Sequence, residues 1–106
     1  MTRRPYEETP ELASIRERID ELDRRIVALL NERAELGRAA GRAKAGSGRR
    51  TVRDIERERE VLLRAAMANV GPLSQADLLS IYRRIVAATR SLEARDRSHD
   101  GRSGGG

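Results

Sequence analysis

The chain has no cysteine, no phenylalanine and no tryptophan, and only two tyrosines and one histidine in 106 residues. Without cysteine there is no disulfide, no thiol nucleophile and no thiolate metal site. A single histidine near the C-terminus leaves no histidine cluster to hold a metal, so none is expected. The missing aromatics remove the large side chains that anchor compact cores. Leu, Ile, Val and Ala must fill that role, and association with a second copy would help. No apolar run is long enough to span a membrane. The opening MTRRPYEETPE lacks the apolar stretch of a secretory signal. A cytoplasmic protein without membrane association is expected.

Charge is what the chain has in abundance: 22 Lys and Arg against 17 Asp and Glu, a net of +5. That balance suits an acidic partner, either nucleic acid or a small anion, and does not choose between them. The length is that of one domain without internal repeats, which buries only about two-thirds of its unfolded surface.

Apolar spacing organises the sequence. Leu12, Ile15, Ile19, Leu22, Ile26, Leu29, Leu36 and Ala40 fall on steps of three and four, or multiples of them, a helical seam sustained over about four heptads. Thr9-Pro10-Glu11 supplies an N-cap hydroxyl, a proline at the first helical position and an acid in the first turn. Gly46-Ser47-Gly48 supplies the stop. At 1.5 Å per residue such a helix is roughly 50 Å long, too long for a compact chain of this size, and so it is expected to span a dimer. A second helix is predicted over 52–70, ended by Gly71-Pro72. A third opens at Ser74, with Asp77 closing an acidic variant of the capping box. It continues through Leu78, Ile81, Ile85, Val86 and Leu92. Strand signals are absent. The prediction is an all-α protein of three helices, with a helical domain over 9–95 and polar or Gly-rich disordered tails over 1–8 and 96–106.

Several charges sit where apolar residues are expected. One helical step past Leu29 lies Arg33, and Gly37, Ala40 and Lys44 follow on the same stripe. An arginine and a lysine overlooking small residues make a candidate anion pocket. Equally, Arg33 can bury its stem and keep its head in water. In the second helix Asp54, Arg57, Glu58 and Val61 share one face beside Ile55 and Leu62. Taken alone, that cluster reads better as exposed ion pairs, worth a few tenths of a kcal/mol each. Thr89 and Glu93, one turn apart on the third helix, read alone as a solvent margin. Arg16 lies far from Lys44 along the first helix. It would meet the later half of that helix only across two antiparallel copies related by a two-fold axis.

Together these residues resemble the all-helical chorismate mutase family. The similar segments are IRERIDELDRRIVALLNERAELGRAAGRAK (15–44), RTVRDIERERE (50–60) and IYRRIVAATRSLE (81–93), and from first to last they span about three-quarters of the chain. The resemblance implies an intertwined homodimer of three-helix chains with shared active sites and no cofactor. It implies that Arg33, Arg57 and a partner subunit's Arg16 hold the two carboxylates of chorismate. Lys44 would bond the ether oxygen and the neighbouring carboxylate. Asp54 and Glu58 would address the ring hydroxyl, and Thr89 would replace a family Ser near the ring carboxylate. Where many members carry Gln as a second donor to the ether oxygen, this chain has Glu93. An ionised carboxylate only accepts hydrogen bonds, so Glu93 is expected to act protonated.

Residues of these types suit a unimolecular [3,3] rearrangement, which needs no nucleophile, metal or redox cofactor. It needs the dianion held in its compact conformer and cations where charge gathers on the ether oxygen. Relatives in the same fold rearrange 4-amino-4-deoxychorismate or eliminate pyruvate from isochorismate. Two acids facing ring position 4 could suit an ammonium as well as a hydroxyl. A basic helical module for nucleic acid or a partner helix is the reading from a different class. Against it, acids and bases are interleaved and stacking aromatics are nearly absent. No nucleic-acid partner is therefore expected, and no regulatory domain or activating partner enzyme is legible.

Overall fold

The computed structural model describes residues 8–46 and 54–104, with side chains described to residue 99. Residues 1–7 of the tail expected over 1–8, the helix stop at Ser47-Gly48, and Val52 and Arg53 lie outside the described residues. Three helices follow in order: α1 (Pro10–Gly46), α2 (Ile55–Ala68) and α3 (Gln75–Gly104). No strand occurs among the described residues, and none of their helices is long and apolar enough to cross a membrane. The fold is all-α.

Local chemistry sets the helix ends. The Thr9 hydroxyl accepts a hydrogen bond from the Leu12 N–H at 3.1 Å, and Pro10 opens α1 where its missing N–H costs nothing. The Asp54 carboxylate caps α2 by accepting from the Arg57 N–H at 3.0 Å. Helix α2 thus starts later than the sequence pattern suggests and ends earlier, at Ala68. The Ser74 hydroxyl accepts from the Asp77 N–H at 3.1 Å and opens α3. Between α2 and α3, Asn69 ties the turn. Its amide donates to the Leu73 carbonyl at 3.0 Å and to Gln75 Oε1 at 2.8 Å, while its oxygen accepts from the Gly71 N–H at 3.0 Å. Gly71 adopts φ +83°, a left-handed conformation that glycine takes without a side-chain penalty.

The chain divides into two compact units, Met1–Glu32 and Arg33–Gly106. In the first, the described residues form the early turns of α1. Their seam is open: Ile15, Ile19, Leu22, Ile26 and Leu29 are 46–60% exposed. In the second unit α2 packs against α3, and the rest of α1 meets α3 through side chains. Ala65, on α2, is the single buried apolar residue among those described. Arg38 Nε and Nη2 donate to Asp96 Oδ2 and Oδ1 at 2.8 and 3.1 Å. This bidentate pair holds the Asp96 carboxyl below its ordinary range. It anchors α3 beyond residue 95, and α3 continues as helix to Gly104 where composition predicted a disordered tail from 96.

Candidate active site

The second unit contains a cleft of about 320 Å³ between the later half of α1, the start of α2 and the middle of α3. That volume falls at the lower end of the roughly 300–1,000 Å³ found for small-molecule sites. Four cationic side chains line it, Arg33, Lys44, Arg57 and Arg90, together with three acids, Asp54, Glu58 and Glu93. The remaining lining is Leu36, Gly37, Ala40, Val61, Val86 and Thr89.

Small residues on α1 make the space. A Cβ on Gly37 would overlap the Thr89 methyl, and one on Gly41 would touch Glu93 Cγ at 3.4 Å. The spacing of four brings both glycines to the same face, so α3 can lay Thr89 and Glu93 directly against α1. Arg33 Nη1 then donates to Thr89 Oγ1 at 3.4 Å, and Thr89 Oγ1 donates to the Ile85 carbonyl at 3.2 Å. Arg33 is half-buried and lines the cleft; its guanidinium reaches across to α3.

Helix α2 enters the cleft by its N-terminus. Asp54 is both its cap and part of the lining, which places one carboxylate at the positive end of a helix dipole. Arg57 lies one turn on and also reaches Glu60 at 3.5 Å on its outer side. Glu60 in turn pairs with Arg64 at 2.5 Å, an exposed (i, i+4) contact. Glu58 points the other way, into a pair with Arg90 of α3, whose Nη1 donates to both carboxylate oxygens at 2.9 Å.

Glu93 has its carboxyl pushed above the usual range. Burial is the first cause; Asp96 and Glu58 add to it through like charge, while Lys44 works against it. Lys44 is therefore close enough for its charge to be felt by Glu93.

The structure thus gathers Arg33, Lys44, Asp54, Arg57, Glu58, Thr89 and Glu93 around one cleft. It does not bring Arg16 there: that residue lies in the first unit, where its guanidinium meets Glu8 at 3.4 Å. Arg90 is the lining residue that sequence reasoning missed. Its position between Thr89 and the next turn gave a faint signal. Its pairing with Glu58, 32 residues away, is visible only in three dimensions.

Four cationic and three acidic side chains thus share one cleft on a three-helix, all-α scaffold. The sequence pattern of the chorismate mutase type II family matches residues 15–94. This chain belongs to that family. It is 38% identical over 87 residues to a bifunctional chorismate mutase/prephenate dehydratase of Aquifex aeolicus, covering 78% of this chain and 24% of the relative. Identity rises to 53% over 53 residues with the enzyme of that name from Escherichia coli K12, covering 50% of this chain and 14% of the relative. An intracellular chorismate mutase of Mycobacterium tuberculosis is 49% identical over 39 residues, 37% of each chain. Among solved structures, chorismate mutase form II of Thermus thermophilus superposes with a TM-score of 0.75 at 29% identity, covering 80% of this chain and 96% of that one. The chain spans about a quarter or less of the bifunctional relatives' length.

Proposed function

We propose that the protein is a chorismate mutase, converting chorismate to prephenate for phenylalanine and tyrosine synthesis in the cytoplasm. In this isomerisation the ether C–O bond breaks while a C–C bond forms across the same molecule, with no atom gained or lost. The enzyme's task is to hold the reactive chair-like conformer and to stabilise charge on the departing oxygen. One observation carries the reading: a single cleft holds Arg33, Lys44 and Arg57 together with Asp54, Glu58, Thr89 and Glu93.

Each side chain has a role that fits its chemistry. Arg33 and Arg57 hold the two carboxylates through forked donors, and Thr89 lies beside the ring carboxylate. Lys44 places a point charge at the ether oxygen. Burial raises the Glu93 carboxyl, which favours the protonated form, and that form donates a second hydrogen bond there. A bound dianion adds negative charge beside Glu93 and keeps its proton on more firmly. Asp54 and Glu58 accept from the ring hydroxyl. The partner subunit's Arg16 completes the carboxylate clamp in a homodimer. Supporting the dimer is the open apolar seam of α1, which a second copy would cover at a gain of about 25 cal/mol per Å².

Parallel assays with chorismate, 4-amino-4-deoxychorismate and isochorismate test the reading. Turnover of chorismate to prephenate is expected, with a loss of at least about 100-fold in kcat/KM for Arg57→Ala at unchanged helical content. No turnover of any of the three substrates would refute it.

A further inference from the structure

The cleft holds a cation that the proposed roles do not use. Arg90, on α3, places Nη1 at 2.9 Å from both oxygens of Glu58, and the two side chains are only 32% and 20% exposed. A partly buried pair is screened less than an exposed one, so its charges act on whatever shares the cleft. Glu58 is also one of the two acids expected to face ring position 4 of the substrate.

Two carboxylates facing that position would welcome an ammonium group more than a hydroxyl. The geometry here changes the balance. The Arg90 guanidinium cancels the charge of Glu58 at contact distance. The other acid, Asp54, commits Oδ1 to the Arg57 N–H and sits at the positive end of the α2 dipole. The field at this end of the cleft is therefore less negative than two free carboxylates would make it. A neutral hydroxyl gains hydrogen-bond acceptors there without meeting a repulsive charge. An ammonium meets a fixed guanidinium and the end of a helix dipole.

We propose that Arg90 is a specificity-determining residue, acting through its pair with Glu58 to favour a hydroxyl over an ammonium at ring position 4 of the substrate. The inference rests on the chorismate mutase reading of the site. Arg90 has no part in the chemistry of bond breaking. It sets the charge seen by the one substituent in which the two substrates differ.

The ratio of kcat/KM for chorismate to that for 4-amino-4-deoxychorismate provides the test, measured for the wild type, Arg90→Gln, Arg90→Ala and Arg90→Lys. The wild type should favour chorismate. Arg90→Gln and Arg90→Ala should shift the ratio toward the amino substrate by roughly tenfold, the effect of one charge at partly buried range. Arg90→Lys keeps the charge and should stay within about threefold of the wild type, half a tenfold step. Equal losses on both substrates, with the ratio unchanged, would mean that Arg90 only supports structure and would overturn the proposal. So would a wild type that prefers the amino substrate, or an Arg90→Lys ratio that moves as far as Arg90→Gln. A wild type inactive on both substrates would remove the mutase reading itself, an outcome distinct from an active enzyme with an unmoved ratio.

Discussion

At the scale of single residues, Glu93 is where environment most clearly changes chemistry. A glutamate among three cleft arginines and a lysine would ordinarily be ionised, and Lys44 does pull it that way. Burial wins, aided by Asp96 and Glu58, and the folded carboxyl titrates above its ordinary 4.5. If the protonated form donates to the ether oxygen, activity is full below the raised value and falls as pH climbs through it. Glu93→Gln, which donates at every pH, should flatten that dependence. The check is a kcat/KM profile from about pH 5 to 8. A level wild-type profile across that range would sink the idea. Glu60 and Arg64 show the opposite lesson: on α2, beside the cleft, they form an ordinary exposed pair.

Between elements, the deciding contact is the approach of α3 to α1 at Gly37. Replacing a helical glycine by alanine normally stabilises by up to about 1 kcal/mol. Here the new methyl would overlap that of Thr89, and overfilling of this kind costs about 1–3 kcal/mol. The clash should win. Relieving it by turning Thr89 would disturb its bonds to the Ile85 carbonyl and Arg33. Gly37→Ala should therefore lower both Tm and kcat/KM, read by thermal melting and the chorismate assay. A variant melting higher than wild type with full activity would show that α3 does not need this approach. Further along, the Arg38–Asp96 pair joins the same two helices at the start of the stretch whose composition reads as a tail.

For the whole molecule, the open seam of α1 and the location of Arg16 point to one prediction. If two copies pair along that seam and exchange Arg16, each site draws on both chains. Arg16→Ala and Arg57→Ala homodimers should each be nearly inactive. Mixing and refolding them together should restore activity approaching a quarter of wild type, because half the chains pair as heterodimers and each heterodimer carries one intact site. Heterodimers verified by mass but without recovered activity would rule out the shared site.

The sequence by itself determined the helices and the identity of most cleft residues. The three-and-four spacing of Leu and Ile, the caps at Thr9 and Ser74 and the Gly71-Pro72 break are local signals, and local hydrogen bonds carry them out. Arg33, Lys44, Asp54, Arg57 and Glu58 were legible as charges out of place or as a familiar motif. Taken alone, Asp54, Arg57 and Glu58 looked like surface pairs, because periodicity cannot say whether a polar face meets water or another polar face. Tertiary structure decided the rest. It set the Glu58–Arg90 and Arg38–Asp96 pairs, which join residues 32 and 58 positions apart. It also raised the Glu93 carboxyl, since desolvation depends on what surrounds a group in space.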